Sequence, residues 1–241
     1  MTLDQIPLEF SYEGGDLEAL ATLRRYREWI LSHLKPFLAG DAVEIGAGIG
    51  NMADHLYPHV STLNLIEPSP NLIGPLRTKF ASKKNVQITP ETFEAFVSNA
   101  PDCTYDTVIL INVLEHIEDD IHALSECHRI LRPGGALLIL VPALPFLFSK
   151  LDSLVGHFRR YTKYNLETGI ENAGFEIKDM SYFDMFGIIP WWLINTIGGA
   201  TSFNPKLVNL YDSLFVPVMR AIEMMITPPI GKNLIAVSIR Q

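Results

Sequence analysis

Glu44 stands two residues before three glycines at alternate positions, in the run Val43-Glu44-Ile45-Gly46-Ala47-Gly48-Ile49-Gly50. Glycine lets a chain turn sharply after a strand and lets a ligand approach the backbone. The dinucleotide fingerprint is G-x-G-x-x-G, with pyrophosphate at a helix N-terminus. Here the spacing is G-x-G-x-G, and a carboxylate at Glu44 would repel pyrophosphate. It suits a ligand bearing an ammonium and a sulfonium, both positive. An ordinary tight turn in an α/β fold is the plain alternative. A second acid, Glu67, follows the strand pattern Leu63–Ile66. A carboxylate there can accept both ribose hydroxyls of an adenosine, although a solvated strand-end residue would look the same.

A second set of reactive side chains lies in residues 151–162, which contain His157, Arg159, Arg160 and Tyr161. Histidine is suited to take a proton near neutral pH, so His157 is the first candidate base. Arg159 and Arg160 suit a carboxylate or phosphate, unless they pair with nearby acids such as Asp152. His116 is the rival base; a packed histidine at a helix start is the alternative. Glu115 beside it could hold its tautomer or bind substrate.

These groups need a scaffold. Strand patterns fall at Ala42–Ile45, Thr62–Ile66, Val86–Ile88, Thr107–Ile111 and Ala136–Val141. Helices fit between them at Met52–Tyr57, Asn71–Phe80, Thr92–Ser98 and Glu118–Leu131. The last carries Ile117, Ile121, Leu124, His128 and Leu131 on one core-facing stripe. An amphipathic helix precedes them from Asp16 to Leu38, with Leu20, Leu23, Trp29, Ile30 and Leu34 apolar. Such alternation predicts an α/β fold, a mostly parallel sheet with helices on both faces and right-handed crossovers. Beyond the fifth strand, Tyr164–Ala173 reads as a helix closed by Gly174, and Phe175–Phe183 and Asn233–Arg240 read as strands. The chain is therefore expected to be a single domain over 1–241, with an N-terminal helical segment (1–40) and a helical, aromatic lid (184–230).

The chain has 241 residues, 48% of them hydrophobic, enough for one folded domain with a sizeable core. A net charge of -8 argues against nucleic acid as a partner. The N-terminal MTLDQIPLEF lacks the look of a secretory leader. Two cysteines, Cys103 and Cys127, allow at most one bridge, and a reduced cytoplasmic protein is the simpler expectation. No metal site is expected: Pro58 interrupts the pair His55 and His59.

Val43–Gly50 with Glu67 resembles the class I S-adenosylmethionine-dependent methyltransferases. Tyr105–Ile117 resembles that family's fourth-strand motif, and Leu131-Arg132-Pro133-Gly134-Gly135-Ala136-Leu137 the turn into its fifth strand. The resemblance covers roughly residues 40 to 180, in the family's order. It implies a Rossmann-like sheet of seven strands, the last antiparallel between its neighbours, with S-adenosylmethionine as cofactor. It further implies Glu44, Gly46, Gly48 and Gly50 near the methionine part, Glu67 on the ribose, Thr92 and Phe93 beside the adenine, and Asn112 and Val113 beneath. Glu91 or Glu94 are alternatives at the adenine. Asn51, Pro68 and Ser69 join the cofactor-binding set. Residues 156–161 resemble a GH-x-RRY pattern in one branch, some of whose members act on lipids, sugars or natural products. The expected reaction is methyl transfer to a small or amphipathic acceptor, with O-, N- and C-nucleophiles all open. A non-catalytic cofactor-binding scaffold is the alternative, disfavoured by the intact acids and glycines. A nicotinamide oxidoreductase is disfavoured by the glycine spacing and Glu44.

From Met185 to Pro205 no residue is charged, and Trp191, Trp192 and Phe203 enrich the stretch in aromatics. Pro190 and Gly198-Gly199 weaken a membrane-spanning helix. A pocket wall including Trp191, a dimer contact, a peripheral membrane surface and a buried lid core all remain open. Leu207–Ile226 reads as one further helix kinked at Pro217.

Overall fold

The computed structural model describes residues 22–241. Within them α1 (Arg24–Leu34) continues into a 3-10 turn at Lys35–Phe37. The expected start at Asp16, with Leu20, lies outside the described residues. The chain then alternates through β1 (Asp41–Ile45), α2 (Ala53–Leu56), β2 (Thr62–Ile66), α3 (Pro70–Phe80), β3 (Val86–Thr89), α4 (Phe93–Asn99), β4 (Tyr105–Ile111), α5 (Asp120–Ile130) and β5 (Leu131–Pro142). After α6 (Lys150–Leu154) and α7 (Lys163–Asn172) come β6 (Phe175–Phe183), a helical segment, and β7 (Asn233–Arg240).

The strands form one seven-stranded sheet in the order β3-β2-β1-β4-β5-β7-β6. The pairs from β3 to β5 are parallel, and β7 runs antiparallel between β5 and β6. Central strands are apolar on both faces because both are covered. In β4, Val108 and Leu110 join a core with Phe96, Leu124 and Ile130, on the face carrying α4, α5 and α7. Ile109 joins the opposite core with Trp29, Leu34, Leu56 and Phe80. The order reverses between β1 and β4, so a crevice opens beyond their carboxyl ends, where open α/β sheets take ligands.

Two expected elements differ. The buried stripe of α5 is Ala123, Leu124, Cys127 and Ile130, while Ile121 is 49% exposed. That stripe follows a 3.6-residue turn from Ala123, and Ile121 falls at its edge beside Gly169 of α7. Leu131 begins β5, where a helix end and turn were expected. Leu131 pairs with Tyr105, and a register shift between Tyr105 and Thr107 absorbs the Pro-Gly-Gly that follows.

Between β6 and β7 lie α8 (Ile188–Trp191), a π turn (Trp192–Ile197), α9 (Pro205–Leu210), a second π turn (Tyr211–Phe215) and α10 (Val216–Met225). The expected kink at Pro217 takes the form of this wide turn just before a proline that has no N–H to donate. Val216 and Met219 reach the core, but Ile189, Trp192, Leu193, Ile197, Leu214 and Met225 are exposed. A buried lid core therefore accounts for only part of the segment. Among the described residues no helix is long and apolar enough to cross a membrane. Cys103 and Cys127 are both free thiols.

Candidate active site

Beyond β1 the chain turns through Gly46, Gly48 and Gly50, at φ 69°, 56° and 73°. Side chains rarely adopt this region. Space matters as well: a Cβ on Gly46 would lie 2.6 Å from Val113 Cγ2, and one on Gly50 2.5 Å from the Phe80 ring. The turn is tied to the end of β2. Gly46 and Ala47 donate their N–H groups to the Ile66 carbonyl at 2.8 and 3.0 Å. Glu67 accepts from Gly48 N–H at 2.7 Å and from Ser69 N–H at 2.8 Å, so its carboxylate sets the loop that it faces. Pro68 lies between the two, and Asn51 continues the turn towards α2.

Glu44 is buried, and its Oε2 has no hydrogen-bond partner. Burial raises its carboxyl to about 8, opposed by Lys79 and reinforced by Glu67 and Asp54. A buried carboxyl oxygen without a partner, next to a backbone that tolerates no Cβ, fits a ligand with an ammonium group. The acid and the glycines thus suit S-adenosylmethionine on the molecule's own geometry.

The facing wall follows β4. Asn112 adopts φ 52° and donates its N–H to the Leu140 carbonyl at 2.8 Å; asparagine is among the few residues that tolerate such a backbone. Val113 packs on Gly46 across the crevice. Thr92 caps α4 by accepting Ala95 N–H at 3.2 Å. Phe93 is buried and borders a cavity of about 430 Å³ with Ile117, Glu118 and His122. A larger cavity of about 530 Å³, around Gly40, Asp106 and Gly134, opens at the opposite end of the strands, away from these groups.

Residues 114–116 form a 3-10 turn, and the loop after α6 lies across it, Phe158 N–H donating to the Glu115 carbonyl at 2.9 Å. This brings Glu115, His116 and His157 together. His157 Nε2 lies 3.8 Å from Glu115 Oε1, and the two imidazoles meet edge to face at 4.6 Å between centroids. One ligating atom from each of the three residues lies within 4.8 Å of the others. Glu115 is fully buried, neither carboxyl oxygen has a hydrogen-bond partner, and burial raises it to about 8.

Behind His157 stands Asp152, whose Oδ1 is 2.9 Å from Nδ1. Burial alone would raise Asp152, but the His157 hydrogen bond, the Arg160 charge and the Ser149 bonds hold it at about 2. An ionised carboxylate only accepts, so Nδ1–H donates to Asp152 and Nε2 is the ring nitrogen turned towards Glu115. Arg160 pairs with Asp152 at 2.8 Å and lies 4.6 Å from the centre of the Trp191 ring. It is a buried strut, and its guanidinium is committed to Asp152 and the Ala143 carbonyl rather than to an anionic acceptor. Arg159 pairs with Asp120 at 2.7 Å, and Tyr161 donates to the same carboxylate at 2.7 Å. Both brace the loop against α5. Trp191 donates its Nε1–H to the Leu147 carbonyl at 3.1 Å. Sequence reasoning treated Asp152 only as an arginine partner. Ser149 and Asp152 form a capping box, a pattern readable in the sequence that places the carboxylate.

Residues 19–179 match a family model described as a methyltransferase domain. A Mycolicibacterium smegmatis protein named "Probable S-adenosylmethionine-dependent methyltransferase" is 36% identical over 81 residues, 33% of this chain and 32% of that protein. A ubiquinone biosynthesis O-methyltransferase of Xanthomonas euvesicatoria is 24% identical over 169 residues, 64% of this chain and 70% of that one. The match spans about half the length of two other curated relatives. The fold is shared with an S-adenosylmethionine-dependent methyltransferase of Mesorhizobium loti, with a TM-score of 0.62 and 14% identity over 89% of this chain and 98% of that one.

Proposed function

The chain belongs to the class I S-adenosylmethionine-dependent methyltransferases, and on that premise we propose that it methylates a hydroxyl of a small amphipathic acceptor. The observation that carries this reading is the placement of two unlike groups beyond the carboxyl ends of the neighbouring parallel strands β1 and β4. One holds the buried Glu44 and the glycine turn, and the other holds Glu115, His116 and the Asp152-oriented His157. When bound, the cofactor would supply an electrophilic methyl carbon to the attacking acceptor oxygen, with the sulfur leaving on the electron pair of the broken bond.

The chain's residues position and deprotonate. Glu44 would neutralise the cofactor's ammonium group, Glu67 would take the ribose hydroxyls, and Thr92 and Phe93 would border the adenine. Asn112 and Val113 would form the floor that fixes the cofactor relative to the acceptor, since in-line displacement depends on approach geometry. A hydroxyl must lose its proton as it attacks. An inward Nε2 lone pair can accept that proton or hold a cation that acidifies the hydroxyl, and His157 and His116 are the groups assigned to this step. Support for a hydroxyl acceptor also comes from the ubiquinone biosynthesis O-methyltransferases among the relatives. Support for an amphipathic one comes from the exposed Ile189, Trp192, Leu193 and Ile197 beyond β6, with Trp191 beside Arg160 on the inner side. The same face offers peripheral contact with a membrane surface.

The test is release of S-adenosylhomocysteine from a panel of phenols and catechols, with and without alkyl tails, beside matched amines. Turnover of tailed hydroxyl acceptors is expected. Turnover of amines alone would replace the hydroxyl assignment.

A further inference from the structure

We propose that Glu115, His116 and His157 bind a divalent transition-metal cation at the acceptor side of the crevice. Glu115 is fully buried with both oxygens lacking a hydrogen-bond partner, the condition that bound water, ligands or ions usually relieve. Two imidazoles stand next to it, with His157 Nε2 3.8 Å from Oε1 and one ligating atom of each residue within 4.8 Å of the others. Bonds of about 2.0–2.1 Å to a tetrahedral ion put ligand atoms roughly 3.3 Å apart, so side-chain shifts of about 1 Å close the set.

The surroundings are built for the same purpose. Metal-bound histidines donate their second ring N–H to a carboxylate, which fixes the tautomer and raises basicity. Asp152 does this for His157 at 2.9 Å. It is itself held by Arg160 at 2.8 Å and by Ser149 N–H and Oγ at 2.8 and 2.7 Å. Arg160 neutralises Asp152, which leaves the Glu115 carboxylate as the charge for the ion. Two imidazoles and one carboxylate favour zinc, iron(II), cobalt or manganese over the all-oxygen sites of calcium. Three protein ligands leave coordination positions open, as in catalytic zinc sites.

The chemical consequence rests on the methyl-transfer reading. An acceptor hydroxyl bound to the ion becomes more acidic and loses its proton to solvent, and its oxygen then attacks the methyl carbon as the carbon–sulfur bond breaks. A second oxygen adjacent to the first would fill another open position, so the favoured acceptors are vicinal diols, catechols or hydroxy-ketones.

Metal content is the direct test. The chelator-stripped full chain is dialysed against Zn²⁺, Co²⁺ or Mn²⁺ separately and its bound metal measured by elemental analysis, with Co²⁺ also read by visible absorption. About one equivalent per chain is expected, with affinity at least tenfold weaker in His116→Ala and Glu115→Gln. His116 is exposed, so His116→Ala keeps the fold, checked by circular dichroism. No stoichiometric binding at about 100 μM metal would overturn the proposal, as would binding that His116→Ala leaves unchanged. S-adenosylmethionine binding is titrated separately on the stripped chain. Cofactor binding without metal binding sinks only the metal site; metal binding without cofactor binding sinks only the methyl-transfer reading.

Discussion

Asp152 Oδ1 lies 2.9 Å from Nδ1 of His157 and 2.8 Å from the Arg160 guanidinium, so one buried oxygen sets the histidine and anchors its strut. The Trp191 ring lies over that guanidinium. A line of contacts thus joins the helical segment beyond β6 to the candidate catalytic imidazole.

His157→Ala is expected to lower turnover about 10²–10⁴-fold while S-adenosylmethionine affinity stays within a few-fold, because His157 contacts Asp152, Glu115 and His116 rather than Glu44 or Glu67. Steady-state kinetics beside calorimetry measure both. Asp152→Asn should lower turnover in the same direction, since an amide can donate to Nδ1 and favour the wrong tautomer. Unchanged turnover in His157→Ala would remove this residue from the mechanism.

Arg160→Ala leaves the Asp152 carboxylate buried without its cation. The cost should be about 3–5 kcal/mol in a urea titration, and Arg160→Lys should recover only part of it because it cannot reproduce the fork. A loss below about 1 kcal/mol would mean that water replaces the guanidinium.

Gly50→Ala puts a methyl 2.5 Å from the Phe80 ring at a φ of 73°. About 1–3 kcal/mol of destabilisation follows from crowding and strain together. Gly46→Ala meets the tip of Val113 at 2.6 Å, a side chain that also floors the crevice. Its loss should fall more on cofactor affinity than on the melting temperature, and the reverse ranking would contradict the placement of Val113.

Glu44 gives a pH dependence with a definite sign. Its carboxyl is raised from 4.5 to about 8 in the folded chain without cofactor. The folded state holds a proton that the unfolded chain has released, so this contribution is fully present below pH 4.5 and is lost as pH rises through about 8. A cationic ligand favours the ionised form. Cofactor binding at pH 7 should therefore release up to about one proton, read by calorimetry in buffers of different ionisation enthalpy. Proton uptake would contradict the pairing of Glu44 with the ammonium group.

Much of this was legible in the sequence because the signals are local. The strands Thr62–Ile66, Phe175–Phe183 and Asn233–Arg240 carry their own apolar patterns between turn residues. The glycine turn and its two acids are short-range features as well. Other features depend on contacts made elsewhere. The start of β5 at Leu131 follows from a register shift against Tyr105, which no local pattern encodes. The edge position of Ile121 depends on the packing of α7 on α5 at Gly169. Asp152 and His157 meet because the chain reverses at Gly156, φ 84°, and the orphaned oxygens of Glu115 follow from the loop that closes over it. The left-handed Leu144, φ 64°, at the end of β5 left no trace in residue type.

The most direct test of the central claim is a calorimetric titration of the full chain with S-adenosylmethionine, repeated with Glu67→Gln and with NADH as competitor. One site per chain is predicted, weakened about 10–100-fold by loss of the carboxylate and untouched by NADH. No heat at millimolar S-adenosylmethionine, or displacement by NADH, would contradict it.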